Sequence, residues 1–112
     1  MPVYMLIDIQ VLDGDTYSKY VTAVHSVVTA HGGRYVVRGG NPKPVGGGWN
    51  PERIIIIEFA SQADLERCFS SPEYAALAPL REQSTTSRAV VLQAFTGPAA
   101  GNTDRCEGDS DS

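Results

Sequence analysis

The sequence has few of the residues that mark several functional classes. Its only cysteines are Cys68 and Cys106, and their spacing matches neither a zinc site nor a redox motif. No apolar run reaches the roughly 20 residues that a membrane span requires, and no basic segment precedes the N-terminal apolar run as in a signal peptide. We therefore expect a cytoplasmic protein with two free thiols, no bound metal and no contact with a membrane.

Positive charge is also too scarce for a nucleic-acid-binding surface. The chain carries nine Lys and Arg against thirteen Asp and Glu, for a formal net charge of −4. Most of the excess negative charge lies in residues 97–112, which are small and polar, whereas residues 1–96 are close to neutral. A near-neutral body does not attract a phosphate backbone, so nucleic acid is not an expected partner. We predict one folded domain over residues 1–96, followed by an acidic, disordered tail over residues 97–112.

The apolar residues follow both the helical and the strand period. Val3–Val11 and Arg53–Phe59 are the most continuously apolar runs and predict strands. From Tyr17 to His31 the apolar positions recur in steps of three and four, which predicts one face of a helix. In chain order we predict a strand, a helix, two strands, two helical segments and a strand, over residues 3–11, 17–31, 34–38, 53–59, 62–69, 72 onward and 87–95.

Two glycine pairs lie in the stretch AHGGRYVVRGG, over residues 30–40. Glycine-rich loops that bind phosphate precede a helix, so that the helix N–H groups point at the anion. Here Gly32-Gly33 follows a predicted helix, and Gly39-Gly40 precedes a long loop. We therefore interpret the first pair as a helix C-cap that uses the positive φ available to glycine, and the second pair as the end of a strand.

The order of elements is typical of an α+β, ferredoxin-like βαββαβ fold: a four-stranded, antiparallel-type sheet with its helices on one face. From the usual strand order of this fold we expect the first and third strands to lie side by side and parallel in the centre of the sheet, and these two strands are also the most continuously apolar. Such strands require cover on both faces, and the helical segments can cover only one. A second copy of the chain is the expected cover for the other face, which predicts a homodimer.

Three stretches also resemble a known family: AHGGRYVVRGG, GGGWNPERIIIIEFAS and SSPEYAALAPLREQSTTSRAVVLQ. Together they are similar to the family named domain of unknown function 1330, in the dimeric α+β barrel superfamily, and the resemblance runs from Pro2 to about Phe95. The positions that match the family pattern are His31, Gly32, Gly33, Arg38, Gly39, Gly40, Trp49, Pro51, Arg53, Glu58, Phe59, Tyr74, Arg81, Ser84, Ser87 and Arg88.

The resemblance implies a dimeric barrel with a small-molecule pocket, but it leaves the activity open. The superfamily includes monooxygenases, isomerases and cyclases as well as plain binding and stress proteins. One interpretation is therefore a protein that binds a small organic molecule and catalyses acid–base chemistry without a cofactor. The alternative is a non-catalytic interaction or stress-response protein whose homodimer is the functional unit.

Two carboxylates are candidates for acid–base catalysis. Asp8 and Glu58 lie on the strand faces opposite the wholly apolar sets, and parallel strands would bring them to the same end of the sheet. Two carboxylates at close range can differ in pKa and serve as acid and base. In the alternative interpretation each is ion-paired across the sheet, Glu58 with Arg34 and Asp8 with Arg88.

The remaining candidates belong to the helix end and the loops. His31 is the third catalytic candidate, or else a packed, hydrogen-bonded residue at the end of its helix. Trp49 lies in a long loop, either over a pocket mouth or against a partner subunit. Arginines can hold an anionic ligand group by paired hydrogen bonds, or form salt bridges at the surface. The predicted ligand-binding residues are Arg38, Gly39, Gly40, Trp49, Arg53, Tyr74 and Arg81.

Overall fold

The computed structural model describes residues 1–95 and has the predicted order of elements. The predicted tail, residues 97–112, lies outside the described residues. β2 is longer than predicted, since it continues through Gly40, and β4 lies two residues earlier than predicted, from Thr85 to Gln93. The elements are β1 (Val3–Val11), α1 (Gly14–Ala30), β2 (Arg34–Gly40), β3 (Arg53–Phe59), α2 (Gln62–Phe69), α3 (Pro72–Ser84) and β4 (Thr85–Gln93).

The four strands form one sheet in the order β2-β3-β1-β4, and every neighbouring pair is antiparallel. The ferredoxin-like α+β fold is therefore confirmed, but the expectation that β1 and β3 run parallel is wrong. Because the chain crosses over through α1, β2 runs parallel to β1, and one strand position remains between them. The chain then reverses between β2 and β3, so β3 fills that gap in the opposite direction. Tyr4 consequently lies opposite Glu58, and Asp8 opposite Ile54.

The beginning of α1 is fixed by a side-chain cap. The backbone N–H of Thr16 donates to Asp13 Oδ1 at 3.3 Å, and the Thr16 hydroxyl donates to Asp13 Oδ2 at 2.9 Å. These hydrogen bonds, first that of the hydroxyl, hold the pKa of the Asp13 carboxyl below its usual value. A carboxylate at this position also meets the positive end of the helix dipole.

The end of α1 separates the roles of its two glycines. His31 is the C-cap residue, and Gly32 follows with φ +84°, the left-handed conformation that glycine adopts freely. Gly33 has no positive φ, so the interpretation of the pair as a C-cap holds for Gly32 alone. A Cβ on Gly33 would lie 2.5 Å from Val28 Cγ1 and 2.9 Å from the Phe59 ring. Gly33 is thus required by the close approach of the chain to the core.

The helices cover one face of the sheet, and the core lies beneath them. Side chains of alternate β1 residues point toward α1, and the odd-numbered residues of β3 do the same. Two serines begin the other helices: Ser61 accepts from the Asp64 N–H at 3.1 Å, and Ser71 accepts from the Tyr74 N–H at 3.1 Å. The buried apolar residues are Val3, Ile9, Tyr17, Tyr20, Val24, Val28, Ile57, Phe59, Leu65 and Cys68.

The opposite side of the sheet, here called the open face, has no helix over it in the described chain. Its middle row runs across all four strands and is apolar, whereas the rows on either side of it each contain a carboxylate and an arginine. The register places side by side Val37, Ile56, Leu6 and Val90 in the middle row, Arg34, Glu58, Tyr4 and Leu92 in one flanking row, and Gly39, Ile54, Asp8 and Arg88 in the other.

Candidate functional site

A cavity of about 390 Å³ lies between the sheet and the helices α1 and α3. Its floor is the helix-facing side of the sheet. The cavity is deeper over β4, because Ser87 and Ala89 are smaller than Ile9 and Ile7, their neighbours on β1. The space is within the range of small-molecule sites, about 300–1,000 Å³. The fold therefore contains a site large enough for a small organic ligand.

The two ends of this cavity differ in chemistry. At one end the floor is the cross-strand pair of Met5 and Ile57, next to Phe69, whose ring packs edge-on against Phe59 with ring centres 5.9 Å apart. At the other end the floor residue beside Ile9 is an arginine. The cavity is thus apolar at one end and cationic at the other.

Three arginines from three elements define the cationic end, here called the arginine end: Arg38 of β2, Arg53 of β3 and Arg81 of α3. Arg38 lies opposite Ile55, two residues along β3 from Arg53. Arg81 reaches the floor from above and donates from Nη1 to the Ser87 hydroxyl at 3.0 Å. The antiparallel sheet and the packing of α3 over it bring these three distant residues together.

Aromatic rings hold two of these guanidinium groups without neutralising them. Arg53 Cζ lies 5.5 Å from the centre of the Tyr17 ring, and Arg38 Cζ lies 5.2 Å from the centre of the Tyr35 ring. A ring face attracts a cation but leaves its N–H groups free to donate. The Nε atoms of Arg53 and Arg81 are buried and have no hydrogen-bond partner among the described residues. The arginine end therefore has unused donors.

Tyrosines line the middle of the cavity. The hydroxyls of Tyr20 and Tyr74 are hydrogen-bonded at 3.2 Å, and both residues line the cavity. Burial, and then this hydrogen bond, raises the pKa of Tyr20 above its usual value. Burial also raises the pKa of Tyr17 and Tyr35, although the nearby arginines lower it in part. These phenols are protonated at neutral pH and can donate hydrogen bonds to a ligand.

The carboxylate candidates lie outside this cavity, on the open face. Asp8 and Glu58 are four positions apart along antiparallel strands, which separates them by about 13 Å. The expectation that they meet at one end of the sheet is therefore wrong. Each has the arginine partner predicted in the alternative interpretation, since Arg88 Nε lies 3.2 Å from Asp8 Oδ2 and Arg34 forms an ion pair with Glu58.

His31 lies away from both carboxylates and from the arginine end. One of its ring nitrogens, Nδ1, is 2.9 Å from the carbonyl oxygen of Val27, so this nitrogen carries the hydrogen. Tyr17, beside the arginine end, is fourteen residues earlier in the same helix, about 21 Å along its axis. The three catalytic candidates thus occupy three separate places in the described structure.

The predicted ligand-binding residues divide into two groups. Arg38, Arg53, Tyr74 and Arg81 line the cavity. Gly39, Gly40 and Trp49 are not part of its lining. Trp49 lies at the edge of the open face, where its indole N–H donates to Asp8 Oδ2 at 3.1 Å.

Sequence reasoning missed the tyrosines of the helix and the small residues of the last strand. The helical period places Tyr17 and Tyr20 on a core stripe, and they are indeed buried, yet they also line the cavity. The sequence does carry a signal for these two residues, because a phenol hydroxyl on a buried stripe needs a polar partner. Ser87 and Ala89 carried a weaker signal, as small residues at floor positions of a strand.

Within residues 1–95 no three His, Cys, Asp or Glu side chains lie together as a metal site would require. None of the helices in this part of the chain is long and apolar enough to cross a membrane.

Comparison with solved structures finds the same fold in several small proteins. A protein of unknown function from Rhodopseudomonas palustris has a TM-score of 0.73 at 19% identity, covering 86% of this chain and 84% of its own. A dimeric ferredoxin-like protein of unknown function from Jannaschia sp. has a TM-score of 0.70 at 12% identity, covering 84% and 100%. SnoaB, a cofactor-independent oxygenase from Streptomyces nogalater, has a TM-score of 0.65 at 11% identity, covering 86% and 95%. These likenesses show the fold alone.

Sequence comparison gives the family. No protein with a curated function matches the chain. A family model does match, over residues 2–95, and this range includes every described strand and helix. The resemblance identified from the sequence motifs is therefore confirmed, and the chain belongs to the family described as domain of unknown function DUF1330.

Proposed function

We propose that this protein is a homodimer that binds a small organic molecule in the cavity between its sheet and its helices. The observation that carries the proposal is the cavity itself, about 390 Å³ of space in a domain of only 95 described residues. Protein interiors are close-packed and rarely leave voids much larger than a water molecule. A space of this size, lined by apolar, phenolic and guanidinium groups, is better explained by a ligand than by imperfect packing.

The open face supports the homodimer. Its middle row leaves Val90 54% exposed and Val37 40% exposed, and Leu92 in the neighbouring row is 48% exposed. A monomer avoids a contiguous apolar patch of this kind. The carboxylate–arginine pairs on both sides of the row let two copies face each other with opposite charges opposed. Trp49, at the edge of this face, would then contact the partner subunit.

A finer proposal is cofactor-independent acid–base catalysis in the cavity, such as an isomerisation, a cyclisation or an oxygenation. The name of SnoaB, a cofactor-independent oxygenase with the same fold, makes this class reasonable. Guanidinium groups and protonated phenols stabilise negative charge that develops on a substrate oxygen. Asp8, Glu58 and His31 lie outside the cavity and would not contact a substrate bound in it.

A non-catalytic binding protein is the alternative. The separation of Asp8, Glu58 and His31 favours it, because no acid–base pair from these residues faces the cavity. In that case the homodimer and its ligand would be the functional unit. A reducing cytoplasm remains the proposed location, consistent with the buried free thiol of Cys68.

The experiment fills the cavity without touching its charges. Calorimetric titrations with 2-naphthoate and with 2-naphthamide are carried out on the wild-type protein, on Ala89→Phe and on Ala76→Phe. Ala89 lies on the cavity floor, whereas Ala76 is an exposed residue of α3 that does not line the cavity. We expect the wild type and Ala76→Phe to bind at least one naphthalene compound equally well, and Ala89→Phe to lose binding while it keeps its melting temperature.

Two outcomes would contradict the proposed function. In the first, neither compound binds the wild type at concentrations up to about 1 mM, the range of weak ligands. In the second, Ala89→Phe binds as well as the wild type, which would mean that the compounds bind elsewhere.

A further inference from the structure

We infer that the cavity takes an amphipathic organic anion, an apolar ring system or chain that ends in a single carboxylate, with the carboxylate at the arginine end. The inference rests on the proposed function, because it names the class of ligand for the same cavity. It follows from three independent features of the cavity: its charge, its unused hydrogen-bond donors and its polarity from end to end.

The charge of the lining is entirely positive. The side chains of Arg38, Arg53 and Arg81 line the cavity, whereas Arg88 borders it from β4 but pairs with Asp8 on the open face, and none of the described lining residues is an Asp or a Glu. Residues 1–95 carry nine Asp and Glu against eight Lys and Arg, yet none of these acids lines the cavity.

Two of these arginines are already engaged elsewhere. Arg88 forms its ion pair with Asp8 on the open face, and Arg81 has Glu82 at 3.8 Å, a neighbour that is largely exposed. Arg38 and Arg53 form no ion pair with any of residues 1–95. Arg38 remains exposed, but Arg53 is partly buried, and removing a charged group from water without a partner is costly. An anionic ligand would supply the missing charge.

The unused donors indicate where the anion binds. Arg53 Nε and Arg81 Nε are buried without a hydrogen-bond partner, although most buried polar atoms in proteins have one. Arg53 is on the floor, and Arg81 reaches the same row from above through its hydrogen bond to Ser87, which lies two strands from Arg53. A carboxylate has two oxygens and accepts from two guanidinium groups at once.

The other end of the cavity sets the rest of the ligand. From Arg53 to Ile57 the floor runs for four residues along β3, about 13 Å. The far end is apolar and holds Met5, Val28 and Phe69. A second charge on the ligand would be buried there without a partner, so the expected ligand carries one charged group and an apolar body.

The test compares two probes that differ only at the head group, 2-naphthoate and its neutral amide, 2-naphthamide. We expect the wild type to bind 2-naphthoate about tenfold or more tightly than 2-naphthamide, because hydrogen bonds to a charged group are stronger than neutral ones. Arg53→Gln and Arg81→Gln should each weaken the binding of 2-naphthoate about tenfold and leave the affinity for 2-naphthamide unchanged. Raising the salt concentration should weaken the binding of 2-naphthoate only.

Arg67→Gln is the matched control, because it removes the same charge from an exposed position on α2 where Arg67 is paired with Asp64. Binding of both probes should be unaffected. Equal affinity of the wild type for the two probes would overturn the inference and leave the proposed function intact, whereas failure to bind either probe would contradict the proposed function itself. An arginine variant that loses both probes equally, at an unchanged melting temperature, would mean that the arginine shapes the cavity without recognising the carboxylate.

Discussion

The arginines on the two faces of the sheet have different partners. On the open face, Arg34 and Arg88 each lie beside a carboxylate on the neighbouring strand. On the face covered by helices, Arg38 and Arg53 lie against aromatic rings and have no carboxylate partner among the described residues. The arginines of the open face are therefore paired with carboxylates, whereas Arg38, which is exposed, and Arg53, which is partly buried, are unpaired among the described residues.

This difference separates an association surface from a binding site. Paired charges around an apolar row are complementary to a second copy of the same surface, and exposed pairs of this kind contribute little stability by themselves. A partly buried cation without a carboxylate partner, such as Arg53, destabilises the folded protein unless an anion binds beside it. The open face thus favours a partner subunit, and the covered face favours a ligand. Four substitutions test this contrast, in order of decreasing effect.

The largest effect is expected at the centre of the open face. Val90→Glu puts a carboxylate in the apolar middle row, where it would be buried without a partner in the dimer. We expect size-exclusion chromatography with light scattering to give a dimer for the wild type and a monomer for this variant at micromolar concentration. Val45→Glu is the control, because Val45 is fully exposed in the loop between β2 and β3. A wild-type chain that elutes as a monomer would refute the dimer.

On the covered face, any side chain added at Gly33 should disturb the packing of the core and destabilise the protein. The Cβ of Gly33→Ala would approach Val28 and Phe59 too closely, and we expect a loss of about 2 kcal/mol in the free energy of unfolding. Gly39→Ala is the comparison on the open face, since a Cβ there meets nothing within 4 Å and should change stability by less than about 0.5 kcal/mol. Urea denaturation measures both. Equal effects would mean that Phe59 moves away readily.

A smaller effect is expected from the phenol pair in the cavity. Tyr20→Phe leaves the half-buried hydroxyl of Tyr74 without its partner, at a cost of about 1 kcal/mol. The comparison on the open face is Tyr4→Phe, which removes a longer hydrogen bond of 3.4 Å to Glu58 and should cost less. Chemical denaturation at neutral pH gives both values, and a larger loss for Tyr4→Phe would contradict the ranking.

The same variant predicts a change at alkaline pH. Because the folded state raises the pKa of Tyr20 above its ordinary value of 10.0, its protonated form stabilises the fold below that pH, and the contribution is lost as the pH rises above it. Wild-type stability should therefore fall more steeply above pH 10 than that of Tyr20→Phe. Parallel curves would show that the Tyr20 hydroxyl is accessible to water.

The smallest effect is expected for the ion pair at the edge of the open face. Asp8→Asn removes the carboxylate that accepts from Arg88 and from the Trp49 indole. The side chain of Arg88 is mostly exposed, so we expect a loss of about 0.5 kcal/mol at pH 7. Double-mutant cycles with Arg88→Gln measure the interaction. A coupling well above about 1 kcal/mol would mean that the pair is enclosed by the partner subunit.

The order of elements could be predicted from the sequence because each rests on local chemistry. The helical stripe from Tyr17, the serine caps of the later helices and the continuous apolar run of β3 are signals that neighbouring residues carry. The ends of β2 and β4 were less predictable, since Gly39 and Gly40 are poor strand formers. They continue β2 because β3 offers hydrogen-bond partners across the sheet, which no local propensity records.

For the site, the sequence identified all three arginines of the arginine end by residue type, but not their arrangement. Arg38, Arg53 and Arg81 were candidates because a guanidinium recognises an oxyanion, and the structure adds that they share one cavity. The pairing of Asp8 with Glu58 was predicted from parallel strands, and it failed because strand direction depends on the whole chain path. The same antiparallel register gives each acid an arginine in place of the other acid.

The sequence by itself determined the order of strands and helices, the end of the first helix at the pair Gly32-Gly33, the apolar character of both faces of the central strands, and the family. These depend on periodicity, capping and backbone conformation, which act within a few residues. The tertiary structure alone decided that Tyr17, Tyr20, Ser87 and Arg53 surround one space, that Gly33 is needed for packing, and that the carboxylates lie apart. Such features depend on contacts between residues far apart in the chain, and these are fixed only when the sheet register and helix packing are set together.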